Sequence, residues 1–429
     1  MRRMRFLGAA VAVAASCLLF LAAPAVAGGL YLYELGTPDV GTAAAGYAAR
    51  AQDAGTVYTN PAGMTRLSRP ELLAGVQPMY LNMTFSPNSS TTNTGPDGDP
   101  SAWIPAGSLF YTQPVTKDLY AGFGVFGNFG LSLQYEDNWV GRYYVQEATL
   151  QGITFMPAVA YRVAPGLSFG AGLGIMYGYF KNTVAIANSR LLDPQLGDGQ
   201  LKLVDHDWGV NGKFGILYEL SKSTRFGVTY MTQTKLNFSP KTEFTGLGPG
   251  LQAFLQNRGT LDTTLDLGMT VPQAVMVSAF HDFTEKLALM ANFGWEQWSK
   301  FGKIEVGIVD NTTRNLSTNL DYKDTWHGAL GAQYKVSDPW LLTAGVSYDS
   351  AMLDDNQRSP ALPVGDTWRF ALGGLYKYSE KVTLGAAYEL AWGGNLPMTV
   401  SRGPVAGTVS GEYKDTSISV LSLNLDYKF

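Results

Sequence analysis

The chain has 429 residues, of which 46% are hydrophobic and only 15% are charged, and its formal net charge is −4 at neutral pH. An acidic balance argues against nucleic acid as a partner. No run of 18 apolar residues follows residue 21, so no membrane-spanning helix is predicted. The one cysteine, Cys17, lies in a segment that we expect to be removed, which excludes a disulfide framework.

Residues 1–27 have the three parts of a secretory signal peptide. Arg2, Arg3 and Arg5 form a positive start, an apolar stretch follows as far as Leu21, and the small-residue sequence APAVA ends at Ala27. We therefore expect the mature chain to begin near residue 28. The alternative is an uncleaved membrane anchor, which the short apolar stretch and the cleavage site disfavour.

Residues 28–69 differ from the rest of the chain. They are rich in Gly and Ala and show no sustained alternation of polar and apolar side chains, so no strand is predicted there. A segment of this length that precedes a barrel can fill the barrel lumen. We therefore predict that residues 28–69 are a plug if the residues after them form a barrel.

From residue 70 onward, apolar and polar side chains alternate with a period of two, which predicts strands with two different environments. The closing stretch, VLSLNLDYKF, has an apolar side chain at every odd position from Leu421 to Phe429. Such segments are predicted near residues 70–85, 101–115, 118–127, 148–163, 166–182, 208–220, 223–237, 268–282, 285–300, 318–336, 339–350, 365–378, 380–395 and 411–429.

The connections between these segments alternate in length. Short connections such as TK, APG and SD follow every second segment, whereas the others span about 14 to 30 residues. Short turns at one end and long loops at the other are typical of an outer-membrane barrel. We therefore predict an all-β fold, a 14-stranded antiparallel transmembrane β-barrel over residues 70–429, in the outer membrane of a Gram-negative bacterium. A secreted β-sandwich is the alternative, and the asymmetry of the loops disfavours it.

The third predicted strand contains four glycines, in the stretch GFGVFGNFG. These glycines are Gly122, Gly124, Gly127 and Gly130. Glycine inside a strand often marks a bulge or a kink, and the alternative is that glycine makes room for the plug. The same stretch matches a dinucleotide-binding pattern, but no helix follows it, so no cofactor is predicted.

Several motifs resemble those of the FadL/TodX family of outer-membrane transporters for long-chain fatty acids and other hydrophobic compounds. The stretch YTNPAGMTRL carries the Asn-Pro-Ala motif of that family at Asn60, Pro61 and Ala62. Further similar stretches are NFGLSLQYEDNWVGRY, WEQWSKF, YKDTWHGALGAQY and DPWLLTAGVSYD. The resemblance covers essentially all of 28–429, and it implies a 14-stranded barrel with an N-terminal plug.

The resemblance also implies a function and partners. Family members take up hydrophobic molecules passively, and the substrate passes from a groove on the outer loops to a lumenal pocket and leaves sideways at the third strand. Long-chain fatty acids are the expected substrate, and aromatic hydrocarbons are the alternative. We expect a monomer in outer-membrane lipid and lipopolysaccharide, with the terminal aromatic Phe429 read by the outer-membrane assembly machinery.

Two lumenal cations are candidates for binding a carboxylate head group. Alternation places Lys323 in the tenth strand and Arg369 in the twelfth on the inward face. Lys323 lies in the YKD motif, whose lysine resembles a head-group contact in the family, whereas Arg369 follows from alternation alone. The alternative is that both cations pair with lumenal acids such as Glu296 and Glu389.

The two longest outer loops, residues 183–207 and 238–267, are rich in apolar side chains. In PGLQAFLQNRG the apolar residues have helical spacing, which predicts a short helix. The resemblance implies that these loops form the first binding groove, and the alternative is that the loops pack against each other. The candidate groove residues are Leu191, Leu192, Phe244, Leu251, Phe254 and Leu255.

An enzyme is a rival class, because some outer-membrane barrels are lipases or proteases. Such an enzyme needs a nucleophile, a base and an orienting group, but the chain has three histidines and no serine in a nucleophile context near them. The stretch DHDW around His206 is a weak candidate for a base or a calcium site. We predict neither a catalytic residue nor a metal site. A polar porin is a further rival, which the plug disfavours.

Overall fold

The computed structural model of the chain describes residues 30–308 and 314–429, so the predicted signal peptide lies outside it. The strands are β1 Glu71–Val76, β2 Met79–Pro87, β3 Ala102–Ile104, β4 Gly107–Pro114, β5 Leu119–Gln134, β6 Glu147–Ala164, β7 Leu167–Ile186, β8 Gly199–Glu219, β9 Thr224–Met231, β10 Thr234–Phe238, β11 Glu243–Thr245, β12 Leu265–Val271, β13 Ala274–Asp282, β14 Leu287–Glu296, β15 Lys303–Ile308, β16 Arg314–Asn319, β17 Thr325–Ser337, β18 Trp340–Asp349, β19 Thr367–Lys377, β20 Val382–Ser401 and β21 Thr408–Lys428.

The helical elements are short. They are α1 Thr37–Val40, α2 Thr56–Thr59, α3 Asn188–Leu191, α4 Pro249–Asn257 and α5 Gly403–Ala406, with 3₁₀ turns at Pro61–Arg66 and Trp298–Lys300. Within residues 30–308 and 314–429, no helix combines the length and the apolar character that a membrane crossing requires.

The strands close into a barrel. Every strand pair is antiparallel, and β21 pairs with β20 on one side and with β1 on the other, where Glu71 faces Lys428. Fourteen strands form the wall, because β1/β2 and β3/β4 are each one interrupted wall strand and β10, β11, β12, β15 and β16 lie outside the wall. The predicted all-β fold, a 14-stranded antiparallel β-barrel, is confirmed.

The two faces of the closing strand match the predicted alternation. Leu421, Leu423 and Leu425 are 40–47% exposed on the outer surface, whereas Ser422 and Asp426 are buried inside. A wall with apolar side chains outside and polar side chains inside suits a barrel in lipid. The core of the molecule therefore lies in the lumen.

Several predicted boundaries are wrong. The wall strands predicted at 223–237 and 268–282 break at the same level, after Met231 and Val271, and Pro272 explains the second break because proline cannot donate to the ladder. On the side of the break toward the long loops, which we call the upper side, β10 and β12 form a separate sheet with β15 and β16. In that sheet, the Leu236 side chain contacts Gly178 on the inner face of β7, so this hairpin bends over the lumen.

The tenth predicted strand, 318–336, also begins in the wrong place. Residues 318 and 319 belong to the hairpin strand β16, and the wall strand β17 starts at Thr325. The third predicted strand, 118–127, is too short, because β5 continues to Gln134.

Candidate ligand path through the barrel

Residues 30–69 fill the lumen. We call residues 30–35 the plug arm and residues 36–69 the plug body. With few exceptions, the side chains of both segments are buried against the inward side chains of the wall. The structure therefore places a folded segment where a ligand would cross the barrel.

The Asn-Pro-Ala motif forms a tight turn against the wall. Asn60 Oδ1 accepts a hydrogen bond from the Ala62 N–H at 3.1 Å, and Asn60 Nδ2 donates to the Ala48 carbonyl at 2.6 Å and to the Ile216 carbonyl of β8 at 3.0 Å. A Cβ atom at Gly215 of β8 would lie 2.0 Å from Asn60 Oδ1. The motif thus links two parts of the body and attaches both to β8. The wall has a glycine at the point of contact, Gly215, because any larger residue would collide with Asn60.

Arginines also hold the plug body. Arg225 of β9 donates to the Ala49 carbonyl at 2.7 Å and to the Arg50 carbonyl at 2.6 Å. Arg66 pairs with Glu219 of β8 near the short-turn end of the barrel. The body is therefore fixed to the wall through its own backbone carbonyls and through the Arg66–Glu219 ion pair.

The plug arm is held differently. Its backbone pairs with the upper part of β5, where the Leu32 N–H donates to the Asn128 carbonyl at 3.0 Å and the Gly130 N–H donates to the Leu30 carbonyl at 3.2 Å. The Tyr31 ring lies 5.3 Å from the Trp298 ring, centroid to centroid, and its hydroxyl donates to the Pro272 carbonyl. The arm thus adds a short extra strand to a wall strand.

The upper edge of β5 is open to this pairing because the wall ladder on that side has ended. The last pair between β4 and β5 is Ser108–Phe126, and β3 pairs with β2 instead. In the described parts of the chain, residues 127–134 of β5 pair with the wall only through β6. A seam therefore runs between the second and third wall strands, and the arm covers it from inside.

The four glycines of β5 serve different purposes. The register shifts between Gly127 and Phe129, so Asn128 is a bulge. Gly130 has a φ of 145° and a Cβ there would lie 2.5 Å from the Leu150 carbonyl oxygen. At Gly122 and Gly124, a Cβ would instead collide with side chains, those of Met64 in the plug and Phe110 in the wall. Gly127 and Gly130 thus flank the bulge and Gly122 leaves room for the plug, whereas a kink that opens the wall stays a prediction.

The bulge is tied to the plug body. Asn128 Nδ2 donates to the Tyr58 hydroxyl at 2.9 Å, and Asn128 Oδ1 accepts from Thr154 Oγ1 at 3.0 Å. Burial raises the pKa of the Tyr58 phenol well above its usual range, so the hydroxyl stays protonated. The bulge in β5 is therefore hydrogen-bonded to the plug body through Tyr58.

Arg369 points inward, as alternation requires, but its charge is already paired. Its Nε lies 3.1 Å from Glu34 Oε1 in the arm and 3.4 Å from Glu389 Oε1, and its Nη1 donates to Asp349. His327 Nδ1 lies 2.8 Å from the other Asp349 oxygen. These pairs favour the alternative reading, in which Arg369 binds acids of the protein itself.

Lys323 lies outside the wall strand in which alternation placed it, and its role as a head-group contact stays a prediction. It precedes β17 in a loop, its side chain is 56% exposed, and its Nζ lies 2.5 Å from Asp354 Oδ1. Alternation placed it inward because the sequence gives no sign that β17 starts two residues later.

A small cavity lies between the arm, the body and the wall, with a volume of about 30 Å³. That is room for no more than about two water molecules. Its lining includes four tyrosines, one lysine and one glutamate: Tyr31, Tyr33, Tyr47, Tyr58, Lys213 and Glu296. Lys213 was missed as a candidate site, although its inward position in β8 was readable from alternation.

The two apolar loops pack against each other. Asn188 Oδ1 accepts from the Gly248 N–H at 3.1 Å, and Asp193 accepts from the first turn of α4. Of the candidate groove residues, Leu251 and Leu255 are buried and Leu192 is 46% exposed. The remaining three are partly buried against the core: Leu191, Phe244 and Phe254. The predicted helix is α4, and the groove itself stays a prediction.

The weak candidates around His206 have structural roles. Asp205 and Asp207 accept hydrogen bonds from the N–H groups of Ser239 and Asn237, which attach β10 to β8. Within the described residues no group of three potential metal ligands comes together.

Comparison with known proteins identifies the family. The family model for outer membrane protein transport proteins (OMPP1/FadL/TodX) matches residues 18–429. This chain belongs to that family. It is therefore an outer-membrane transport channel of the FadL type, in line with the predicted location.

Individual relatives are distant but cover most of the chain. The long-chain fatty acid transport protein of Escherichia coli O6:H1 is 27% identical over 384 residues, which are 83% of this chain and 84% of that protein. Outer membrane protein P1 of Haemophilus influenzae is 27% identical over 392 residues, 81% of this chain and 82% of that protein. The names of these relatives are those of a transport protein and an outer-membrane protein.

Solved structures share the fold. A Pseudomonas aeruginosa FadL homologue has a TM-score of 0.82 at 20% identity and covers 94% of this chain and all of its own. The Pseudomonas putida toluene transporter TodX has a TM-score of 0.67 at 14% identity and covers 93% of this chain and 99% of its own.

Proposed function

We propose that this FadL-type channel takes up long-chain fatty acids passively. The substrate first meets the apolar side chains of the two outer loops, then enters the lumen beside the plug arm, and leaves sideways through the seam at the third wall strand. Uptake of an uncharged aromatic hydrocarbon through the same path is the alternative.

The seam next to β5 is the observation that carries this proposal. A closed barrel satisfies every backbone group through its neighbouring strands, because lipid offers no hydrogen bonds. Here, within residues 30–308 and 314–429, no wall strand pairs with residues 127–134 of β5 on one side, and the arm supplies two backbone hydrogen bonds instead. Withdrawal of the arm would open a sideways exit into the membrane, which suits cargo that is insoluble in water.

The size of the lumenal cavity supports a gate at the arm. A cavity of about 30 Å³ is far below the several hundred Å³ of ordinary ligand pockets. The arm contributes Tyr31, Leu32 and Tyr33 to the lining, so its displacement would enlarge the cavity and expose the seam in one movement. The names of the relatives support the class of cargo, since several are long-chain fatty acid transport proteins.

The surroundings of the barrel are part of the proposal. Phe429 is exposed, with its ring 4.9 Å from that of Tyr427, at the short-turn end where an aromatic girdle is expected. We propose that this terminus is read by the assembly machinery, and that the channel works as a monomer among lipid and lipopolysaccharide.

Uptake assays test the proposal. Cells that lack their own transporter are supplied with radiolabelled oleate or toluene, with and without this protein, and a small polar sugar serves as the control solute. We expect the protein to increase oleate uptake. An increase for toluene alone would favour the alternative cargo, and an increase for the sugar would indicate a porin.

A further inference from the structure

Lys213 is a buried cation that is not in contact with a counter-charge from any residue that the structure describes. The described residues contain five buried Lys and Arg side chains: Arg50, Lys213, Arg225, Arg358 and Arg369. Each of the four arginines has carboxylate or carbonyl acceptors within hydrogen-bond distance or an ion pair. Lys213 makes no hydrogen bond and no ion pair with any residue that the structure describes.

The position of Lys213 explains why it stays unpaired. Its side chain is inward on β8, 5% exposed, and its Nζ lies 4.4 Å from the centroid of the Tyr58 ring. Glu296 lines the same cavity, but its carboxylate already accepts from Tyr33, from Trp298 Nε1 at 2.5 Å and from Thr325 Oγ1 at 3.2 Å. The ammonium group therefore borders the cavity and lies over the ring of Tyr58.

An unpaired ammonium in such a place is costly. Burial of an uncompensated charge is unfavourable by several kcal/mol, and a cation–π contact returns about 0.5–2 kcal/mol. A carboxylate that entered the cavity would restore the missing partner through a charge-assisted hydrogen bond. An uncharged hydrocarbon would leave the ammonium group without one.

We propose that Lys213 binds the carboxylate of an acidic hydrophobic ligand in the lumen, in place of the two cations that alternation suggested. This inference rests on the proposed function and narrows its substrate class to carboxylic acids. The ligand reaches Lys213 once the arm has moved, because Tyr31 and Tyr33 line the same cavity.

The ligand would also lie next to the ring that holds the bulge of β5. Tyr58 contacts Lys213 with its face and accepts from Asn128 with its hydroxyl. A carboxylate that draws the ammonium group away from the ring changes the surroundings of Tyr58 at the seam. Lys213 is thus placed to recognise the ligand close to the exit.

The test compares two ligands that differ only in charge. Binding of oleate and of oleyl alcohol to the purified full-length protein is measured at pH 7, for the wild type and for Lys213→Met, Lys213→Arg and Lys323→Met. We expect Lys213→Met to weaken oleate binding by about 10- to 100-fold, with alcohol binding within about twofold. Lys213→Arg retains most of the oleate affinity, and Lys323→Met matches the wild type.

Three outcomes would overturn the inference. If the Lys213→Met variant binds oleate as tightly as the wild type does, the oleate carboxylate does not bind at Lys213. Equal losses for oleate and the alcohol, in a variant that keeps the heat-modifiable mobility of a folded barrel, show that Lys213 only shapes the cavity. A wild type that neither binds nor imports oleate refutes the proposed function itself, and the uptake assay separates that failure from the other two.

Discussion

Gly130 is the residue at which the bulged strand depends most on the absence of a side chain. Its φ of 145° is rarely adopted by other residues, and a Cβ would lie 2.5 Å from the Leu150 carbonyl oxygen. We predict that Gly130→Ala lowers the free energy of unfolding by about 1–3 kcal/mol. Urea titration of the folded barrel in detergent, followed by tryptophan fluorescence, measures this change.

Gly127→Ala is the matched control, because the nearest atom to its Cβ, the Gly152 carbonyl oxygen, would lie 3.8 Å away. It changes stability by less than about 0.5 kcal/mol. Equal effects of the two substitutions would contradict the assignment of the strained position to Gly130.

Arg369 joins the arm to two wall strands through three carboxylates. Removal of the guanidinium leaves Glu34, Asp349 and Glu389 buried without compensation. We predict that Arg369→Met costs about 3–5 kcal/mol and loosens the arm. Higher single-channel conductance in planar bilayers, together with lower urea resistance, is the expected result.

Lys323→Met provides the comparison for Arg369→Met. Its ion pair with Asp354 is more than half exposed on both sides, and exposed pairs contribute about 0–1 kcal/mol. We expect wild-type conductance and stability. A large effect of Lys323→Met, with none of Arg369→Met, would show that the Lys323–Asp354 pair in the outer loops, rather than Arg369, holds the arm in place.

The sequence pattern defines the direction of an inward side chain but not its partners. Alternation gave the inward direction of Arg369 and Lys213, because the period of two fixes the face of a strand. It could not give their partners, since Glu34 lies 335 residues from Arg369 along the chain. Whether an inward cation has a partner depends on how the plug folds. Lys213 can therefore be distinguished from Arg369 only by its contacts with the described residues, which the sequence does not give.

At the scale of elements, the plug divides into two parts with different attachments. The body is held by Arg225, Arg66 and the Asn60 turn, whereas the arm is held by a short backbone ladder and a few side chains. We predict that the arm moves during transport and that the body stays in place.

Cross-links distinguish the two parts, because Cys17, in the predicted signal peptide, is the only cysteine. Tyr31 and Phe129 are direct antiparallel partners, a geometry that suits a disulfide. In the variant with both residues replaced by cysteine, we expect oxidation to abolish oleate uptake and reduction to restore it. The reduced form is the control for the substitutions themselves.

A second pair tests the body. Thr37 Oγ1 and Ser422 Oγ lie 3.0 Å apart between the body and the closing strand. Oxidation of Thr37→Cys/Ser422→Cys is expected to leave uptake unchanged. Inhibition by this second cross-link would mean that the plug moves as one unit.

Elements differ in how far the sequence defines them. The number of wall strands was readable because short and long connections alternate strictly. The bend of the β10–β12 hairpin was not, because alternation continues through Pro272 while the ladder changes partners. The seam beside β5 was hidden for the same reason, since a ladder that ends leaves no mark on the pattern of one strand.

At the scale of the whole molecule, the plug and the barrel satisfy each other's polar groups. The inward wall residues Ser278 and Asn292 bond the plug backbone, as Arg225 does. The wall also has glycines where the plug backbone approaches it most closely, at Gly170, Gly227 and Gly345. A lumen built this way is a fitted cavity for one segment rather than a general pore.

Deletion of residues 28–69 tests this view of the whole molecule. The wall strands close among themselves from β21 to β1, so the deletion variant is expected to keep a barrel with a water-filled lumen. Its single-channel conductance and its leakage of small polar sugars increase many-fold, and its preference for oleate over sugar is lost, because Tyr31, Tyr33 and Tyr58 no longer line a closed cavity with Lys213.

The oxidised Tyr31→Cys/Phe129→Cys variant is the matched control, since it retains the plug and is expected to leak nothing. A deletion variant that stays closed to sugars would show that the bent hairpin above Pro272, rather than the plug, seals the lumen, and the gate would then have to be sought in the outer loops.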